Sequence, residues 1–164
     1  MRFLAKYPGN LWSCWKTIDL KPCSTEIAVT KVKVQERGKK AVFLNESRET
    51  FTLVQVDGCV IVDAMASDWV LSKKKTADLI IELKGTDVVH GARQILSTAQ
   101  FWTNKALRQG RIAGLLVCAQ YPRISTTVQR IQDTFARSYG GPLHVIARNG
   151  EYLYERVFEY SGPF

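Results

Sequence analysis

Ala77-Asp78-Leu79-Ile80-Ile81-Glu82-Leu83-Lys84-Gly85 follows Ser67-Asp68-Trp69-Val70-Leu71 across a basic turn, Ser72-Lys73-Lys74-Lys75-Thr76. Side chains on a β-strand alternate faces with period two. Ala77, Leu79, Ile81 and Leu83 therefore share one face, and Asp78, Ile80, Glu82 and Lys84 the other. Trp69–Leu71 and Leu79–Ile81 read as the arms of an antiparallel hairpin. An odd number of unpaired turn residues brings Asp68 to the face of Glu82; an even number sends it to the opposite face.

After Gly85 the period changes. Val88, Val89, Ala92, Ile95, Leu96, Ala99, Trp102 and Ala106 recur at helical steps, with Thr86 or Asp87 as N-cap and Gly110 as a stop. Ile112 to Ala119 is an almost unbroken apolar run, as in a strand buried on both faces. Strand, helix and buried strand make a βαβ unit, so the strand at Ile112 is expected parallel to the one carrying Glu82. A second helix is expected from Thr126 to Tyr139, ended by Gly140-Gly141-Pro142. Leu143 to Ala147 and Tyr152 to Phe158 read as a closing hairpin around Asn149-Gly150. Upstream, strands are expected at Ile27–Val34, Ala41–Leu44, Thr50–Val56 and Cys59–Val62. The first 35 or so residues read as an irregular segment packed on the core through Phe3, Trp12 and Trp15.

The chain has 164 residues without repeats or a linker and is expected to form one domain, 1–164. Its net charge of +8 points to a polyanionic partner, nucleic acid before an anionic membrane surface. Cys14, Cys23, Cys59 and Cys118 lack zinc-site spacing, and Cys59 and Cys118 lie in apolar runs where a thiol acts as a small hydrophobe. The N-terminal residues have no apolar signal region, and no segment approaches the roughly 20 apolar residues of a membrane span. A reducing cytoplasm is the expected compartment.

Asp68, thirteen intervening residues and Glu82-Leu83-Lys84 resemble the PD-(D/E)xK motif of the restriction-endonuclease-like nuclease superfamily, over roughly Val54 to Ala119. The resemblance implies an α/β fold with a restriction endonuclease-like core: a mixed central sheet with an antiparallel hairpin, a crossover helix and a buried parallel strand. It implies Asp68, Glu82 and the Leu83 carbonyl as ligands of Mg2+ (or Mn2+), with Lys84 beside the attacking water. The family's Pro is Ser67 here. A further family acid comes from an early helix that is not legible, which leaves Glu26, Glu36 and Glu46 as candidates. Gln94 matches a glutamine that some members carry on the crossover helix, with His90 one turn before it.

The implied activity is metal-dependent hydrolysis of nucleic acid, DNA first, with a homodimer or a targeting partner protein supplying recognition. Lys73, Lys74 and Lys75 would contact phosphate, as would His90 and Gln94. Arg108, Arg111, Arg123, Arg130 and Arg137 could extend the basic surface. The rival reading is a non-catalytic nucleic-acid-binding or assembly protein that keeps the fold. On the plainest reading, Asp68, Glu82 and Lys84 form a solvated ion-paired strand face and Lys73–Lys75 an ordinary turn.

Overall fold

The computed structural model describes residues 17–120 and 125–164. In chain order its elements are β1 (Ser24–Ile27), β2 (Lys31–Glu36), β3 (Lys39–Leu44), β4 (Phe51–Gln55), β5 (Trp69–Lys73), β6 (Ala77–Leu83), α1 (Val88–Asn104), β7 (Arg111–Val117), α2 (Thr126–Tyr139), β8 (Leu143–Ile146) and β9 (Gly150–Leu153). Phe3, Trp12, Cys14, Trp15 and Arg123 lie outside the described residues.

The parity of Ala77–Leu83 becomes two hydrophobic layers. β6 is buried along its whole length. Its even face carries Ile80, which joins Val70, Leu116 and the apolar sides of α1 and α2. Its odd face carries Leu79, Ile81 and Leu83, which join Phe43, Tyr152 and Tyr154 of the opposite layer. Each such fully buried aliphatic side chain contributes about 1.5–3 kcal/mol. The result is three layers: two helices, a six-stranded sheet in the order β1-β4-β5-β6-β7-β8, and a three-stranded sheet in the order β2-β3-β9.

The six-stranded sheet is mixed. β5 pairs antiparallel with β4 and β6, while β6, β7 and β8 run parallel through the crossovers α1 and α2. This is the expected α/β arrangement of hairpin, crossover helix and buried parallel strand. Asp87 caps α1 by accepting the His90 N–H, and Ser125 caps α2. Gly140 closes α2 in the left-handed region at φ 74°, which suits glycine.

Gly141 is required by proximity. A Cβ there would sit 1.8 Å from the Ile112 carbonyl oxygen, a backbone atom that cannot turn aside. Gly141→Ala is expected to cost at least about 3 kcal/mol, read as a lower urea midpoint with an unchanged slope.

Four expectations are corrected. The run Ile27–Val34 is not one strand but parts of two, in different sheets, because Asn45 binds the Val29 carbonyl and its N–H the Thr30 carbonyl, bending the chain between them. Cys59–Val62 is not extended: the N–H groups of Cys59, Val60 and Ile61 converge on the Val56 carbonyl. That turn carries Cys59 to Cys23, with which it forms a disulfide, so Cys59 is not a free thiol; Cys118 is free and buried. The disulfide removes the cysteine argument for a reducing compartment, since such bonds persist where the surroundings are oxidising. Among the described residues, no helix is long and apolar enough to cross a membrane.

The closing hairpin is the fourth correction. β8 pairs parallel with β7 in one sheet and β9 parallel with β3 in the other, and Glu155–Phe158 is a 3-10 helix. Asn149 serves the β3 edge instead of a hairpin turn: its side-chain oxygen accepts the Lys40 N–H.

Candidate active site

The turn between β5 and β6 decides the geometry. Lys73 pairs with Ala77, which leaves Lys74, Lys75 and Thr76 unpaired, an odd number. The register Trp69↔Ile81 then sets Asp68 opposite Glu82, on the face covered by α1. The Asp68 N–H donates to Glu82 Oε2 at 3.2 Å, and the Leu83 N–H donates to Asp68 Oδ2 at 2.7 Å. The N–H and carbonyl of one strand residue point to the same edge, so the Leu83 carbonyl faces the Asp68 side.

Lys84 shares that face. Its Nζ lies 3.5 Å from Glu82 Oε1 and donates to Gln94 Oε1 at 2.8 Å. Gln94 in turn donates through Nε2 to the Ala66 carbonyl at 2.7 Å. Both ends of the Gln94 amide are thus committed inside the protein. Gln94 is placed to position Lys84 and the loop leading into Asp68, and it does not face outward towards a nucleic acid as expected. Helix α1 approaches through Gly91, where a Cβ would stand 3.4 Å from Glu82 Cγ.

Ser67 explains its own departure from the motif. Its N–H donates to Thr98 Oγ1 at 2.8 Å, a bond that proline cannot make. Together with Ser97 Oγ, which donates to the Met65 carbonyl, Thr98 and Gln94 pin the loop before Asp68 onto α1.

A third acid, Glu36, lies on the Asp68 side of the site. It ends β2, in the smaller sheet, near enough to Asp68 to raise that carboxyl's pKa. Of the three acids considered for the family's additional position, it is the one brought to the site; Glu26 lies on the outer strand β1 and Glu46 in the turn after β3. Glu36 comes from a strand end instead of an early helix. The signal that could have singled it out is the Arg37-Gly38 turn, with φ of 45° and 78°, which places Glu36 at the tip of a two-residue hairpin.

Burial dominates the site's electrostatics. It raises the Asp68 pKa to about 7, helped by the adjacent Glu36 and opposed by the Leu83 N–H. Burial and the neighbouring Asp68 charge raise the Glu82 pKa to about 8, against the pull of Lys84. One ammonium does not compensate two buried carboxylates. This donor set of hard oxygens suits Mg2+, which usually keeps several of its waters and needs only one or two carboxylates from a protein. Among the described residues no three His, Cys, Asp or Glu side chains gather closely enough to hold a metal by themselves.

Of the remaining expected contacts, the three turn lysines lie away from Glu82. Lys73 belongs to β5 and pairs with Glu49 and Glu155, so it is not a free turn cation. Lys74 and Lys75 are exposed at the opposite end of β6 from Glu82, about 17 Å away at the rise of an extended strand. His90 lies in the first turn of α1 and is half-buried. Arg108 donates to the carbonyls of Gly110 and Tyr139, and Arg111 to that of Phe158, so both serve the fold. A scan of protein-family models, a search of curated proteins and a search of solved structures each find no match to this chain.

Proposed function

We propose that this chain is a metal-dependent nuclease of restriction endonuclease-like fold, hydrolysing phosphodiester bonds of nucleic acid, with DNA the first substrate to test. One observation carries the reading. The odd turn sets Asp68 opposite Glu82, with Lys84 on the same face, at the carboxyl end of parallel strands where α/β sheets place their sites.

Asp68, Glu82 and the Leu83 carbonyl would hold Mg2+ or Mn2+. Such an ion supplies a bound water of lowered pKa and offsets negative charge on the phosphate. Lys84 then orients the attacking water or balances charge developing on the phosphoryl oxygens. Gln94 fixes where the Lys84 ammonium stands. Recognition of the target falls to a second copy of the chain or to a partner protein.

A non-catalytic nucleic-acid-binding protein of the same fold is favoured by one detail: Lys84 is already engaged by both Glu82 and Gln94. Cleavage of plasmid and oligonucleotide DNA with Mg2+ or Mn2+ separates the two readings. The wild type is expected to cut, with Lys84→Ala slower by about 100-fold or more. Binding without cutting would favour the rival, and cutting that survives both Glu82→Ala and Lys84→Ala would remove these residues from the chemistry.

A further inference from the structure

The hairpin formed by β2 and β3 carries Lys31, Lys33, Arg37, Lys39 and Lys40, with Glu36 its single acid. Its strands have two faces. Val32, Val34, Ala41 and Phe43 are buried against the main sheet. Glu36 and Lys39 are cross-strand partners and continue that inward face beyond the core. Asn149, three residues beyond the carboxyl end of β8, accepts the Lys40 N–H and donates to the Gly38 carbonyl, which ties the tip to the end of the main sheet where Leu83 pairs with Val117 and Val117 with Ile146. The hairpin tip therefore overhangs the end of the main sheet where Asp68 and Glu82 sit.

The cations at this tip are not spent on the fold. The Arg37 side chain is 92% exposed and has only a 3.8 Å contact with Glu36. Lys33 and Lys40 are exposed on the outer face. Among the described residues, Lys33, Lys39 and Lys40 have no carboxylate within ion-pair distance. A row of cations left without carboxylate partners at the rim of the site matches a polyanion lying across it.

We infer that the β2–β3 hairpin is a nucleic-acid wing: Arg37, Lys39 and Lys40 hold the phosphates flanking the bond at Asp68 and Glu82, while Lys74 and Lys75 do not. This rests on the nucleic-acid reading above and deepens it by naming the surface that holds the strand.

Fluorescence anisotropy with a DNA duplex of about 30 base pairs, in EDTA and between about 50 and 200 mM salt, tests it. The wing variant R37N/K39A/K40A is compared with K74A/K75N/K105A, which removes as many exposed cations from the far end of the sheet. Asparagine replaces Arg37 and Lys75 because both have left-handed backbone, which it tolerates. The wing variant is expected to bind at least about 10-fold more weakly, with a log–log salt slope shallower by about 2–3. The far-end variant is expected to match the wild type. Unchanged affinity and slope in the wing variant, equal losses in both variants, or no duplex binding by the wild type would overturn the inference. Failure of the nuclease reading looks different: the wild type binds through the wing yet cuts nothing with Mg2+ or Mn2+.

Discussion

Glu82→Gln is expected to leave a folded protein whose DNA cleavage has fallen at least about 1000-fold, a loss of about 4 kcal/mol of transition-state stabilisation. Glu82 is 1% exposed, and one oxygen accepts the Asp68 N–H while the other faces Lys84. Glutamine keeps the size and the acceptor for Asp68, so the strand ends stay together. It removes the negative charge that a divalent cation would need and that draws Lys84 into place. The same change takes a costly buried acid out of the interior, so thermal stability without metal at pH 8 should hold or rise. Two readouts therefore move in opposite directions, which loss of folding cannot imitate. Cleavage by the variant within about 10-fold of the wild type would show that Glu82 holds no essential metal.

The second large effect is a stability that falls as the solution becomes less acidic. Asp68 and Glu82 have pKa values of about 7 and 8 in the folded protein, against 3.8 and 4.5 for the ordinary side chains. Between pH 4.5 and 7 the folded chain thus holds protons that the unfolded chain has released. Stability from these groups is complete below the lower values and is lost as pH rises through the higher ones. The metal-free midpoint is expected to drop by about 5 °C or more from pH 5.5 to 8. His144 opposes this: burial lowers its pKa, so its contribution falls on acidification. Subtracting the profile of D68N/E82Q isolates the two acids. Millimolar Mg2+ or Mn2+ should protect more at pH 8 than at pH 5.5, since a cation must displace those protons. A flat difference profile would mean that the two carboxyls are neither strained by burial nor waiting for a charge.

What was legible in the sequence was what periodicity records. The stretch from Leu79 to Val117 announces itself because alternation gives way to helical spacing and then to an apolar run, each set by the layer it faces. Gly140-Gly141-Pro142 made the end of α2 readable for the same local reason. Partners distant in sequence were not legible. Asn149-Gly150 carries a genuine local turn preference, yet β8 and β9 find strands in different sheets, and no property of the dipeptide reports that choice. Glu36 was hidden similarly. Arg37-Gly38 marks it as a hairpin tip, but that the tip folds across the larger sheet towards Asp68 is a packing event that neither segment records.

The Cys23–Cys59 bond closes a covalent ring around β1, the whole β2–β3 hairpin and β4. A protease that nicks the exposed tip at Arg37 or Lys40 would cut the chain without freeing either piece. The two fragments would migrate together until a reductant separates them. The overhanging hairpin is in this sense a handle on a closed loop: its peptide can be opened at the tip while its two ends stay moored beside the strands that carry it.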